Sequence, residues 1–425
     1  MNELFYHKKH KEGFNVPPHW NADFFRNLSE YDTTKREGAV YFYDRHDKAL
    51  RNITFAKFIN KEHWEDLRTN SKSKILIDYC DDYFNYFDVT EIVTILKKNN
   101  ISPKQVYWLT CDNLFKKFIR KIAKDYRMNI TEMPMLMFYA VKNFPQQYNP
   151  HSEYNYKFSS LSRNYRSWRL NIYLELLERK VLKQTIYSFF NIEPYEGKKF
   201  TIKDMAQDAY NLTDKSYNWI SKVPHKLPLT YNKVSTHHHN DQTSVFTKNS
   251  NMTYNVIKDS AWHLCIESHY HAWQFDHTAQ KTKDLLNNNH NNYAPTFLTE
   301  KFYKAILLEM PFVIASTPHT IKQIEKLGFK TFEEFVDQSY DNIIDDKKRV
   351  IAIAESLEGL NKKPQEIFDK ELYKARLIAI ENKKRLKEKI KKPKLTGNFF
   401  WLRAHLNLTE LQAGLDKFIS GKIKL

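Results

Sequence analysis

The chain is 425 residues long, with 41% hydrophobic residues and a formal net charge of +17 at pH 7. This length exceeds what one hydrophobic core organises, so we expect two globular domains followed by a terminal extension. Charge or proline breaks every apolar run well short of the roughly 20 residues that a membrane span needs. The polar residues 1–11 do not resemble a signal peptide. We therefore expect a cytoplasmic protein without a membrane partner.

The excess of 67 Lys and Arg over 50 Asp and Glu bears on the partners of the protein. A cationic surface concentrates polyanions and speeds their encounter, which favours nucleic acid or a phosphorylated substrate. The chain is also rich in Lys, Asn, Tyr and Phe, as an AT-rich genome would encode. In that case, part of the positive charge reflects codon usage rather than a polyanionic partner, and both interpretations stay open at this stage.

The counts of glycine and cysteine exclude several classes of site. Glycine-rich phosphate loops need several glycines close together, and only Gly13 and Gly38 occur before Gly197. Walker-type ATPases, kinases and glycine-fingerprint dehydrogenases do not fit this pattern. Three scattered cysteines are too few for a disulfide scaffold or a four-cysteine zinc site, so we expect them to be reduced and structural. They are Cys80, Cys111 and Cys265.

Alternating strand and helix patterns predict a Rossmann-like N-terminal domain over residues 1–150. The predicted elements, in chain order, are strand 74–79, helix 89–99, strand 105–110, helix 115–126 and strand 129–133. Such alternation builds a parallel sheet with right-handed crossovers. The polar, proline-containing segment 143–156 then predicts a linker.

A second alternation predicts another Rossmann-like domain over residues 151–360. Its predicted elements are strands 156–161, 185–190, 261–267 and 311–315 and helices 167–183 and 300–309. The intervening residues 191–251 carry three prolines and the triple histidine His237–His239, which predicts an insertion. The fold class that we expect is α/β, with two Rossmann-like domains in series.

Residues 361–425 form a basic helical extension in this interpretation, with one long helix over 371–391. Opposite charges four residues apart are common on ordinary exposed helices, so a solvated surface helix competes with a DNA-binding arm. The candidate nucleic-acid contacts are Lys383, Lys384, Arg385, Lys387, Lys391 and Lys392.

The most specific motif lies between the strands 261–267 and 311–315, where Thr299-Glu300-Lys301 opens a helix. Thr299 can cap that helix, and its free N–H groups and dipole suit a diphosphate. A carboxylate from Glu300 or Glu267 can accept hydrogen bonds from a ribose, while Lys301 pairs with phosphate.

These residues resemble a known family. Glu267-Ser268, Thr299-Glu300-Lys301 with Ala305, and Pro311-Phe312-Val313 resemble the nucleotide-sugar signature of the alpha-1,3-fucosyltransferases. The segments 327–332 and 339–341 resemble uncharacterised phage and giant-virus proteins of glycosyltransferase type. The resemblance implies the GT-B architecture, two facing Rossmann-like domains with the donor bound to the C-terminal one. The chain departs from the fucosyltransferase pattern at Ser268 and at Leu308–Met310, which leaves the nucleotide and the sugar open.

Three arginines follow the first strand of the second domain and enter its helix: Arg163, Arg166 and Arg169. Arginines at this place can neutralise the departing nucleoside diphosphate, whose charge grows during glycosyl transfer. The competing interpretation is a basic first turn, solvated or paired with Glu175 and Glu178.

Histidines offer a competing chemistry, since His263, His269, His271 and His277 lie near Glu267 and a zinc hydrolase would use such residues. No His-Glu-x-x-His pair is present to give a ligand framework, so we predict no metal site. A histidine that donates a hydrogen bond near the sugar phosphate is favoured instead, with His263 or His269 as candidates.

An inverting enzyme of this type needs a general base in the N-terminal domain. Asp81 and Asp82 follow the strand 74–79 at its carboxyl end, where α/β ligand sites lie, and Asp44 and His46 are equal rivals. The acids at 78–82 lack the spacing of an Asp-x-Asp metal site. A retaining enzyme would need no such base, and the choice stays open.

We therefore predict a glycosyltransferase that uses a UDP- or GDP-linked sugar as co-substrate, with no further cofactor. The first acceptor hypothesis is a hydroxymethylated base in double-stranded phage DNA, in the cytoplasm of the infected cell. The second is a glycan, as for fucosyltransferases. The third is a nucleic-acid-binding protein without enzymatic activity, whose donor site has decayed. The oligomeric state stays open.

Overall fold

A computed structural model describes residues 4–5, 40–44, 59, 61–79, 86–110, 123–132, 153–162, 166–189, 229–230, 257, 259–267, 270 and 298–391. The chain divides into two compact units. The first comprises residues 1–142, 275–297 and 393–425, and the second comprises 143–274 and 298–392. Among the described residues, no helix combines the length and apolar character needed to cross a membrane.

The first unit contains a parallel sheet whose strands follow chain order. The strands are β1 (Leu4–Phe5), β2 (Val40–Asp44), β3 (Lys74–Tyr79), β4 (Val106–Thr110) and β5 (Asn129–Glu132), in the order β1-β2-β3-β4-β5. The described helices are α1 (Lys61–Thr69) and α2 (Tyr86–Lys98). Because the chain steps in one direction from β1 to β5, these strands contain no reversal of order.

The core of the first unit explains why its short apolar runs become strands. Ile75 and Ile77 of β3 and Trp108 of β4 are buried in one cluster with Leu96 of α2. The predicted strand positions are therefore confirmed. The helix predicted over 115–126 is wrong at its end, because residues 123–126 form a turn. The rest of that predicted helix, residues 115–122, lies outside the described residues.

The second unit contains a sheet with a different topology. Its strands are β6 (Tyr156–Leu161), β7 (Thr185–Phe189), β8 (Leu229–Thr230), β9 (Ser260–Ile266) and β10 (Phe312–Ala315), in the order β10-β9-β6-β7-β8. All neighbours are parallel except β7 and β8. The helices are α3 (Ser167–Glu178), α4 (Glu300–Leu307), α5 (Thr320–Lys326), α6 (Asp346–Lys362) and α7 (Gln365–Lys391). The chain leaves β6 toward β7 and returns to β9 on the other side, so the strand order reverses between β6 and β9.

Strand β9 lies between β10 and β6, and all seven of its residues are buried. An aromatic layer contacts β9 and β10 from the segment 327–332. Phe332 lies 5.5 Å from Trp262 and 4.9 Å from Phe312, measured between ring centroids. Phe329 lies 5.8 Å from Phe302 of α4. The segment that resembled viral glycosyltransferases therefore serves packing of the second core.

Helix α3 ends earlier than the predicted residue 183. Its last residue is Glu178, and Lys180 has a φ of 60°, which takes the chain out of the helix into a 3₁₀ turn over Val181–Gln184. The buried carboxylate of Glu175 pairs with Arg179 at 2.7 Å. Arg179 also reaches Glu355 of α6 at 3.2 Å, which joins the end of α3 to α6.

The basic helix α7 belongs to the second unit and packs against it rather than forming a separate tail. Phe368, Leu372, Ala375, Ala379 and Leu386 are buried on its inner face. The side chain of Asn382 bonds both the N–H of Lys330, at 2.8 Å, and its carbonyl, at 2.9 Å. The buried apolar residues of α7 recur at helical spacing, which is the amphipathic pattern of a helix that packs one face against a core.

The location of α7 corrects the predicted basic surface. Tyr154, just before β6, donates to Asp369 at 2.6 Å, and Lys383 pairs at 2.8 Å with Glu309, which precedes β10. Helix α7 therefore runs along the amino-terminal edge of the sheet, opposite the edge where ligand sites of α/β proteins lie. Lys383 is only 4% exposed, so its assignment to a phosphate-binding surface is corrected.

The other predicted cations of α7 differ in exposure. The guanidinium of Arg385 bonds Glu381 at 2.6 Å and the carbonyl of Gly328, which leaves it half-buried. Lys384 and Lys387 are exposed. The helix ends at Lys391, whose side chain lies outside the described part of the structure, as does Lys392.

The neighbours Lys383 and Lys384 give a matched test of this packing. Lys383→Met removes the partner of the largely buried carboxylate of Glu309, which we expect to cost about 3 kcal/mol of unfolding free energy. Lys384→Met changes the same charge on the surface, and we expect less than about 0.5 kcal/mol. Thermal unfolding followed by calorimetry measures both, and equal melting temperatures would contradict the interior ion pair.

Candidate functional site

The reversal of strand order places a candidate ligand site at the carboxyl ends of β6 and β9. In open parallel sheets, ligands bind outside these ends, where the two adjacent crossovers diverge. Arg166 and Trp168 follow β6, and Glu267 and Tyr270 follow β9. We call these four residues the switch-point edge.

The carboxylate of Glu267 holds the start of α4. It is fully buried and accepts the N–H of Thr299 at 2.9 Å and the Thr299 hydroxyl at 2.5 Å. The ammonium of Lys301 lies 3.8 Å from the same carboxylate and donates to the Thr299 hydroxyl at 3.0 Å. The structure therefore brings the predicted motif together.

This geometry corrects the predicted role of Glu267 as a ribose ligand. Both of its oxygens already accept hydrogen bonds, and no part of the residue reaches the surface. Thr299 caps α4 as predicted, since its hydroxyl accepts the N–H of Lys301 at 3.3 Å. Lys301 is 24% exposed at its side chain, so it is the member of this group that a ligand can reach. The side chain of Glu300 lies outside the described residues.

The first turn of α3 differs from the other helix starts on this edge. Its N-cap residue, Arg166, makes no side-chain cap hydrogen bond, and the turn carries no acidic residue. By contrast, Thr299 caps α4, and Asp341 accepts the N–H of Ile321 in α5 at 3.0 Å. Backbone N–H groups and the helix dipole at such a start favour an anion, and a cationic N-cap favours it further.

A run of ring contacts connects Arg166 to the interior. Its guanidinium lies 5.9 Å from the ring of Trp168. Trp168 stacks on Tyr270, with the centroids 6.4 Å apart and the planes 13° apart. Arg349 of α6 lies 4.3 Å from the centroid of Tyr270. No sequence pattern indicates this arrangement, because Arg349 stands in a charged segment that is typical of an exposed helix.

Two predicted donor ligands are interior residues instead. Arg169 is 3% exposed and lies within α3, beneath the surface of the unit. His263 lies in the middle of β9, where its Nδ1 is 3.0 Å from the hydroxyl of Ser159. Burial lowers the pKa of His263 to about 3, and the charge of Lys304 lowers it further. His263 is therefore a neutral core residue, and the assignment of both residues to ligand contact is corrected.

His319 is a histidine at the carboxyl edge that the sequence analysis missed. It follows β10, has a φ of 64°, and donates its N–H to the carbonyl of Asp341 at 2.7 Å. Such a φ is strained for a residue other than glycine. Burial lowers the pKa of His319, with smaller effects from Lys322 and Arg349. The ring is neutral in the physiological range and can donate or accept a hydrogen bond.

Asp341 stabilises this turn. Its carboxylate accepts the N–H of Ile321 at 3.0 Å and that of Lys322 at 3.4 Å. Burial raises the pKa of Asp341 to about 6, against the opposing effect of those hydrogen bonds. The residues 339–341 thus fix the start of α5.

Several predicted residues lie outside the described part of the structure: Arg163, Asp81, Asp82, His46, His237–His239, His269, His271, His277, Cys80 and Cys111. Asp44 is the last residue of β2 and pairs in register with Asp78, but only its backbone is described. Cys265 is buried and is not part of a disulfide. Among the described residues, no three potential metal ligands cluster.

Comparisons with known proteins give little to add to this geometry. No protein-family model matches the chain, and no curated protein matches its sequence. Among solved structures, the chain is similar to the DNA-modifying enzyme β-glucosyltransferase, determined in the presence and absence of its substrate uridine diphosphoglucose. That similarity has a TM-score of 0.26 and 10% identity and covers 76% of this chain and 84% of the other. At that level it carries no argument about function.

The pKa of His263 gives a test of its interior position. Since the folded value is about 3 and the unfolded value is 6.5, only the unfolded chain takes up a proton as the pH falls below 6.5. His263 therefore costs about 2 kcal/mol of unfolding free energy between pH 7.5 and pH 5. His263→Asn keeps a polar atom near Ser159 without titrating. Between pH 7.5 and pH 5, we expect the variant to lose about 2 kcal/mol less unfolding free energy than the parent protein, as measured by denaturant unfolding. The same pH dependence in both proteins would contradict a buried neutral histidine.

Proposed function

We propose that the chain is a glycosyltransferase that binds a nucleotide sugar at the switch-point edge. The observation that carries the proposal is the start of α3, where Arg166 is the N-cap of a helix whose first turn has no acidic residue. This helix follows β6 at the reversal of strand order, the position at which α/β sheets bind nucleotides. The scarcity of glycine supports a phosphate site built from a helix start and cations rather than from a glycine loop.

The chemistry of glycosyl transfer needs such a site. As the bond between the sugar and the diphosphate breaks, negative charge grows on the leaving phosphate oxygens. Donors that are already oriented toward those oxygens stabilise the transition state more than the ground state. In this proposal, Arg166 and the first N–H groups of α3 bind the diphosphate, and Arg163 adds a second guanidinium.

Lys301 is the third cation that we propose for the donor. Its contact with Thr299 places it at the start of α4, which follows β9 on the same edge of the sheet. Glu300, the first residue of α4, stays the proposed partner of the ribose hydroxyls. His319 is a proposed hydrogen-bond donor to the sugar or phosphate, in place of His263.

The acceptor that we propose is double-stranded DNA. The net charge of +17 supports a polyanionic acceptor, because it raises the local concentration of DNA at the protein surface. Lys384 and Lys387 of α7 are the exposed cations proposed to contact phosphates. Because α7 lies at the amino-terminal edge, these contacts would add affinity without touching the reacting groups. The residues proposed as the general base, which takes the proton of the acceptor hydroxyl, are Asp81, Asp82, Asp44 and His46.

The donor site is tested by Arg166→Ala. We expect this change to weaken binding of uridine or guanosine diphosphate by about 1.5–3 kcal/mol, the value of a hydrogen bond to a charged group. Isothermal titration calorimetry measures the affinity, and Lys183→Ala, an exposed cation beyond the opposite end of α3, is the control. Diphosphate affinity that both variants retain would remove Arg166 from the site.

The acceptor is tested by a double variant, Lys384→Gln with Lys387→Gln. Each phosphate contact that is lost should lower the salt dependence of duplex binding by as much as ~0.9 in log–log slope, with transfer at saturating DNA unchanged. Lys180→Asn with Lys183→Gln makes the same charge change elsewhere on the surface and should leave the slope alone. Gel shifts at several salt concentrations measure it, and an unchanged slope in the first variant would exclude α7 from the DNA interface.

A further inference from the structure

Arg349 is a cation in the interior of the second unit, only 1% exposed. Its guanidinium donates to the carbonyls of Ile343, at 2.7 Å, and Ile344, at 3.1 Å, to the carbonyl of Tyr270, and to the carboxylate of Asp346 at 2.5 Å. These acceptors satisfy both terminal nitrogens and make burial of the guanidinium tolerable, although its Nε has no hydrogen-bond partner among the described residues. Arg349 therefore has one defined position, and it fixes Tyr270 both by the backbone carbonyl and by the ring.

Tyr270 and Trp168 form the next layer. Tyr270 is fully buried, and its ring is almost parallel to the indole of Trp168. The indole N–H of Trp168 donates to the carbonyl of Glu267 at 3.4 Å. The indole is thus held on one side by Tyr270 and at its edge by Glu267, the residue that follows β9. Both contacts tie the first turn of α3 to the chain that follows β9.

The outer member of this run is Arg166, whose guanidinium lies 5.9 Å from the indole ring. A guanidinium over an aromatic face loses rotational freedom but keeps the N–H donors at its edge, which are the groups that bind phosphate. Binding an anion then costs less conformational entropy, because the arginine side chain is already ordered.

We propose that Arg349 and Tyr270 are positioning residues for the diphosphate site: they hold the Trp168 indole, and the indole orients the Arg166 guanidinium at the first turn of α3. This inference rests on the proposed function. It adds a role for residues 183 positions apart in sequence, since Arg349 acts on Arg166 only through the two rings.

The test is a double-mutant cycle on diphosphate binding, with Arg166→Ala, Tyr270→Leu and the two combined. Tyr270→Leu keeps the backbone carbonyl that Arg349 contacts but removes the ring. We expect it to weaken binding of uridine diphosphate or guanosine diphosphate about fivefold in the parent protein and to have no further effect in the Arg166→Ala background. Binding of the matching nucleoside, uridine or guanosine, should stay the same in all four proteins.

Two more variants separate positioning from stability. Tyr270→Phe keeps the ring and removes only the hydroxyl, which donates to the Asp346 carbonyl at 3.5 Å, so diphosphate affinity should stay at the parent value. Arg349→Lys keeps the charge but lacks the planar guanidinium. We expect it to lower diphosphate affinity in the parent protein and to have no effect when Arg166 is alanine. Melting temperatures identify any variant that fails to fold.

The outcomes distinguish the two proposals. If Tyr270→Leu weakens diphosphate binding equally with and without Arg166, the ring acts only on general stability and the positioning inference is overturned. The same holds if nucleoside binding falls in parallel. If the parent protein binds neither diphosphate, the proposed function fails, and the positioning inference fails with it.

Discussion

The second unit depends on the complete burial of β9. Burying a polar group in a strand that is covered on both faces is costly unless the group is hydrogen-bonded, and His263 in β9 and Glu267 directly after it are two such groups. His263 is kept neutral beside Ser159, and the carboxylate of Glu267 at the strand's end is satisfied by Thr299. The second contact fixes the start of α4 at the carboxyl edge. A contact that satisfies a buried group beside β9 therefore also positions the start of α4 at the edge where a ligand would bind.

The two edges of this sheet have different tasks. At the amino-terminal edge, α7 closes the core through Phe368 and Leu386 and through the interior pair of Lys383 with Glu309. At the carboxyl edge, the helix starts of α3, α4 and α5 meet the strand ends. Stability contacts and candidate ligand contacts are thus separated by the length of the strands. This separation is why a change on α7 can be expected to alter stability without altering the candidate ligand site.

The motif Thr299-Glu300-Lys301 shows how a correct sequence pattern can be assigned the wrong chemistry. The helix start, the cap and the proximity of Glu267 all followed from the sequence and are present. The ribose-binding role of Glu267 was wrong, because nothing in the sequence says that its oxygens are already occupied. The same limit applies to Lys383 and Lys384, which are equivalent as sequence and differ completely in burial.

The sequence by itself determined the α/β class, the strands β3 to β7, β9 and β10 to within a residue or two, and the excess of positive charge. These follow from local periodicity and composition, which depend on neighbouring residues alone. Only the tertiary structure decided that β9 lies beside β6 rather than beside β7, that α7 covers the amino-terminal edge, and that Arg349 reaches Tyr270. Each of these depends on which distant segments are brought into contact, and a single sequence does not encode that pairing in any local pattern.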